Sequence, residues 1–269
     1  MAASDPPDWD REIERTGSGD PILRHEAGSE PPEIAHGDGS LIDAVDKHVE
    51  EHLGSIAMVF HELVSPTVHL DVHVIAPSDE RPVWTLVTSG MAERPMREPD
   101  GVEGCQFAEL TLSLPADWPG LGDEFMHQST DDPDHPFRDE KNYWPMRTLK
   151  YLARFPYEFN TWVWYGHSFP NGEPPEPYAP SVSFVGAVLF PSMLRSSDTG
   201  YGTIRAGDRD ISLFGIWPLY PEELQFKLDH GTDKLIDRFE AAGLAPPEII
   251  DIHRPNVCAP KRKKWFGLF

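Results

Sequence analysis

Two histidine-bearing segments hold the residue types that could bind a metal. His48-Val49-Glu50-Glu51-His52 matches H-x-x-E-H. On a helix the two histidines lie four apart on one face and could bind zinc, with Glu51 as the base for a metal-bound water. The pattern fixes only three positions, and no later helix offers a third ligand, so the expected reading is a partly solvated helix edge. His69, Asp71 and His73 alternate along HLDVH and project from one face of a strand. They could co-ligate zinc or iron. The expected reading is instead a hydrogen-bonded polar face on which a loop or a partner packs, and neither metal nor cofactor is assigned.

A third concentration is the acidic run 131–139, DDPDHPFRD. It lacks the D-x-D-x-D-G ladder of an EF-hand, and its two prolines oppose that loop's backbone. Asp131, Asp132 and Asp134 read as a solvated loop that could face a partner. Ser89 in TSGM looks like an exposed turn serine, with Asp71 and His73 earlier in the chain. A serine hydrolase would also need a strained elbow and an oxyanion hole, and no G-x-S-x-G is present. Phosphate-binding and dinucleotide glycine motifs are absent as well. The expectation is a protein that is not an enzyme.

The elements that must position these groups follow from periodicity. Leu41, Val45, Val49 and Leu53 recur every four residues, Asp38 or Ser40 can cap that helix, and Gly54 closes it. Strands are expected at SIAMVFHELV and TVHLDVHVIAP, with a turn at Ser65-Pro66, then at VWTLVT and QFAELTLSLP. Val68, Leu70, Val72 and Val74 mark the apolar face of the second strand. A long loop spans Ala116 to Lys141. YWPMRTLKYLARFP reads as a helix with Pro145 in its first turn. TWVWYG, VSFVGAVLF and DISLFGIWPLY read as strands, and one or two helices run from Pro221 to Gly243. The order does not alternate as βαβ units would. A single α+β domain is expected, with a twisted, mixed or mostly antiparallel sheet packed by helices. It covers residues 39–258, between a loose acidic arm (1–38, in which Trp9, Ile22 and Leu23 could dock) and a basic-aromatic tail (259–269).

Composition narrows the classes. Among 269 residues, 45 are acidic and 23 basic, a net charge of −22. Residues 41–258 hold 35 acidic and 16 basic residues, so a net of −19 belongs to the expected body. Such a field disfavours nucleic acid and favours basic partners. The two cysteines, Cys105 and Cys258, form neither a CxxC pair nor a disulfide framework. No apolar run is long enough for a membrane span and the N-terminus does not read as a signal peptide, so a cytoplasmic location is expected.

Five segments, in order along the chain, resemble the suppressor-of-fused family and mainly its bacterial branch. LVTSGMAERPM (86–96) is the strongest, matching that branch's T-S-G-M-S-D-x-P-M stretch. The others are HLDVHV before it, ELTLSLPADW (109–118), WPMRTLKYLARFP with NTWVWYGHS, and IWPLYPEEL (216–224). Ala92-Glu93 stands where the branch has Ser-Asp. The resemblance implies a mixed α/β sandwich that binds proteins. Animal relatives clamp an extended peptide of a transcription factor between two domains, adding it as a strand, and this chain resembles only the N-terminal one. Bacterial relatives are regarded as immunity proteins that neutralise polymorphic toxins, many of them basic nucleases. The function expected is therefore a non-enzymatic immunity protein or inhibitor for a basic toxin. A metal-dependent hydrolase using the His/Asp clusters and an adaptor without a toxin partner are the alternatives.

Overall fold

The computed structural model describes residues 14–25, 39–61, 67–125, 128–195, 200–244 and 248–260. Their elements run α1 (Gly39–His52), β1 (Ile56–Phe60), β2 (Asp71–Ile75), β3 (Val83–Ser89), β4 (Ala108–Pro115), α2 (Glu140–Glu158), β5 (Ser168–Pro170), β6 (Gly186–Pro191), β7 (Thr203–Ala206), β8 (Arg209–Leu219), α3 (Pro221–His230) and α4 (Thr232–Ala241). The strands form one sheet in the order β1-β2-β3-β4-β8-β6-β5, with β7 paired to β8. All pairings are antiparallel except β4 with β8. The sheet is mixed, as the sequence led one to expect.

Both faces of the sheet are covered. One carries the apolar sides of β2, β3 and β4, with Val72, Val74, Leu86, Leu110 and Leu112 against Trp144, Leu149 and Leu152 of α2. The other packs Val87, Ile204, Ile211 and Leu213 beneath Leu41, Val45 and Val49 of α1. A third cluster joins Val188, Phe190 and Trp217 to Leu224, Leu235 and Phe239 of α3 and α4. Val68, Leu70, Val72 and Val74, expected on an apolar face, are all buried, as are Leu110, Leu112, Phe184 and Phe214.

Local chemistry accounts for most element ends. Gly54 follows α1 at φ +107°, a conformation that costs other residues the Cβ clash. The carboxylate of Asp139 accepts the Lys141 amide at 3.1 Å and starts α2 three residues before the expected Tyr143. Pro145 therefore lies inside the helix instead of in its first turn.

One other expected element is corrected. TWVWYG is no strand: residues 161–164 lie outside any regular element, and Trp162 and Trp164 pack on the core from an irregular segment. The short β5 and β7 carry too little periodicity to be read in advance. Ser65-Pro66, Trp9 and the tail beyond Pro260 lie outside the described residues.

Candidate functional site

The acidic loop is fastened to the body. Phe137 is buried, touching Phe60 and Tyr143 with ring centroids 5.9 and 5.8 Å away. Beside it the Phe137 amide donates to Nδ1 of buried His135 at 3.1 Å, and Asn142 Nδ2 donates to the Pro136 carbonyl at 2.9 Å. The aspartates ride on that anchor. Asp131 and Asp134 are exposed and Asp132 is half-buried, its Oδ1 accepting the Asp134 amide at 2.9 Å. That amide, with Gln128, holds the Asp132 carboxyl below the usual range. Arg138 spans the loop, reaching Asp131 Oδ1 at 3.3 Å. The surface beside it is a shallow open basin in which Asp134, Asp139 and Glu140 outnumber Arg138.

HLDVH is a strand only in part: β2 begins at Asp71, so His69 and Leu70 precede it. Asp71 and His73 are buried, while His69 is partly exposed. The Asp71 carboxylate accepts from Nδ1 of exposed His61 at 3.0 Å and lies 3.4 Å from His69 Nε2. Lys150 of α2 is held below its ordinary pKa by burial, partly offset by Asp71. His73 Nδ1 sits 3.1 Å from Asp46 Oδ1 under α1, and burial lowers the histidine's pKa and raises the aspartate's. The polar side of the strand is thus packed over by α1. Phe60, directly before His61, touches Phe137, so the end of β1 links this cluster to the acidic loop.

The His48 and His52 rings lie 4.5 Å apart and tilted, His48 stacks on Tyr201 at 5.8 Å, and His48 Nε2 donates to the Tyr201 carbonyl at 2.8 Å. Glu51 is exposed. Among the described residues, no group of three or more His, Cys, Asp or Glu side chains is placed to hold a metal ion. Ser89, expected at an exposed turn, is fully buried and its hydroxyl has no partner among the described residues.

The turn after β3 is built around a residue that the sequence reading passed over. Glu109 is fully buried; its carboxylate accepts from the amides of Gly90 and Ala92, both at 3.0 Å, and from the Thr88 hydroxyl at 2.6 Å. Tyr157 closes the turn from α2 by donating to the Met91 carbonyl. Burial pushes Glu109 up to about 7 despite those donors. TSGM is therefore a sealed structural turn. Its signal was present in the sequence as a carboxylate on the alternation Glu109, Thr111, Ser113, which reads as a solvent face and is entirely buried.

A family model described as "Suppressor of fused protein (SUFU)" matches residues 66–255. The chain belongs to the suppressor-of-fused family. Solved structures agree with this SUFU domain in fold. A SUFU homolog from Neisseria gonorrhoeae FA 1090 aligns at 16% identity and TM-score 0.53, covering 83% of this chain and 100% of its own. A Sufu–Fu complex aligns at 14% identity and TM-score 0.52, covering 85% of this chain and 93% of its own. At these identities the likeness is one of fold. No curated protein matches the chain. No helix among the described residues of this SUFU domain is long and apolar enough to cross a membrane.

Proposed function

We propose that this SUFU domain is a non-enzymatic binding protein that captures a cationic protein, specifically a basic toxin domain that it neutralises. Membership of a regulatory, protein-binding family carries the first half of the reading. A solved relative is a Sufu–Fu complex, so partner binding is a property of that relative. The cationic half rests on the net of −19 over residues 41–258 and on the way the acidic loop is held. An anchored loop presents Asp131, Asp132 and Asp134 without the ordering cost that a free loop incurs on binding. Complementary charge accelerates encounter and suppresses wrong partners. His69 extends this surface across the end of β1, with Asp71 and His73 beneath as buried supports.

The test uses purified protein and a basic toxin domain encoded beside its gene. Association rates are compared at about 50 and 500 mM salt, between which the screening length falls about threefold. The expected result is a tight complex whose on-rate falls steeply with salt, and falls again when Asp131, Asp132 and Asp134 are changed to Asn. A salt-independent rate that ignores the triple substitution overturns the electrostatic reading. Absence of any such gene and of any complex overturns the toxin reading in favour of an adaptor.

A further inference from the structure

Against the acidic body, one cleft has the opposite sign. It lies between the 94–97 segment and the end of α2, encloses about 140 Å3, and its only charged lining residues are Arg94 and Arg97. Pro95, Pro156 and Tyr157 make its apolar walls. Arg94 Nη1 donates to the Thr67 carbonyl at 3.2 Å, which holds that guanidinium at the rim. The Arg97 main chain is held by its amide, which donates to the Thr161 carbonyl at 3.0 Å. Its guanidinium makes no hydrogen bond or ion pair among the described residues.

Two neutral groups line the same space. The Thr67 hydroxyl oxygen is buried and has no hydrogen-bond partner among the described residues. Asn160 lines the cleft from a left-handed backbone conformation, φ +49°. That conformation closes α2: Asn160 follows the helix's C-cap residue, and the Thr161 amide donates to the Pro156 carbonyl at 2.8 Å. Tyr157 is already committed, donating toward the carbonyls of Met91 and Arg94, so it shapes the wall. Glu93 lies close enough to act on Tyr157, though less strongly than Arg94 does.

We infer that this cleft binds one small oxyanion, a phosphate or a carboxylate group. The guanidiniums of Arg94 and Arg97 supply charge-assisted hydrogen bonds, and Thr67 and Asn160 supply neutral ones. The cleft is small and opens on one side, which suits a single anionic group. The site needs no partner to be tested.

Amide spectra of the 15N-labelled protein are recorded while sodium phosphate or sodium acetate is added, with sodium chloride at matched ionic strength as reference. Saturable shifts at the amides of Thr67, Arg97 and Asn160 are expected, beyond those with chloride. Saturation by phosphate alone identifies a phosphate group as the guest; saturation by acetate identifies a carboxylate. Arg97→Gln removes a guanidinium without an internal partner and should weaken binding by about tenfold, equivalent to about 1.4 kcal/mol. Asn160→Gly suits the positive φ, so it should fold and still weaken binding several-fold. No saturable shift with either anion, or shifts unchanged in both variants, overturns the site.

Discussion

Arg254 Nη2 meets Glu223 Oε2 at 2.6 Å with both side chains buried, and this pair ties the C-terminal segment to the start of α3. The guanidinium also donates to the Pro218 carbonyl at 2.7 Å and lies 4.9, 4.8 and 5.1 Å from the ring centroids of Phe184, Tyr220 and Phe239. Removing one partner leaves an uncompensated buried charge. Arg254→Ala should therefore cost about 3–5 kcal/mol in urea unfolding. The double change Arg254→Met with Glu223→Gln should recover part of that loss. A cost below about 1 kcal/mol for the single change would mean that the segment is held by its apolar contacts alone.

Two buried glutamates should make stability fall as pH rises. Burial raises Glu109 from 4.5 to about 7 and Glu248 from 4.5 to about 8. A carboxyl whose folded pKa is raised contributes stability that is complete below its unfolded pKa and lost as pH climbs through the folded one. Half-buried His167, which its desolvation lowers from 6.5 to about 4, acts in the opposite direction below pH 6.5, so the informative window lies above it. Between pH 6.5 and 9 the melting temperature should drop. Glu109→Gln and Glu248→Gln should each flatten the profile; a slope that survives both would place its origin elsewhere.

Gly90 has no room for a side chain. Its φ is +112°, and a Cβ there would stand 2.0 Å from the His69 carbonyl oxygen. Gly90→Ala should cost on the order of 3 kcal/mol, combining backbone strain with displacement of the main chain just before β2. Thermal melts of the variant check this, and a change under about 0.5 kcal/mol would show that the turn can relax around the methyl group.

The N-terminal arm should divide into two parts on truncation. The Ser18 amide donates to the Leu228 carbonyl at 3.0 Å, Arg24 pairs with Glu173 at 2.6 Å, and the His25 ring packs edge-on to Phe155 at 5.3 Å. Deleting residues 1–13 should leave the melting temperature unchanged. Deleting through His25 should lower it by roughly 2–4 °C, the shift expected for about 1 kcal/mol in a domain of this size. Equal melting temperatures would show that residues 14–25 dock without stabilising the body.

Apolar periodicity by itself determined α1 and the buried side of β2 and of the residues just before it, because Leu41-Val45-Val49 and Val68-Leu70-Val72-Val74 leave their buried sides no other solution; it left open whether one helix or two follow Pro221. Composition determined the acidic field, which is additive over residues. Alternation could not say whether the polar side of a strand meets water. Glu109, Thr111, Ser113, Asp71 and His73 look like a solvent face along the chain, yet the sheet covers both of its faces and buries them. Nor could local sequence place Arg254 against Glu223, or bring Thr67 and Asn160 beside Arg94 and Arg97. Those juxtapositions join residues tens of positions apart. Only packing decides them, since a hydrogen bond or an ion pair depends on distances that periodicity does not encode.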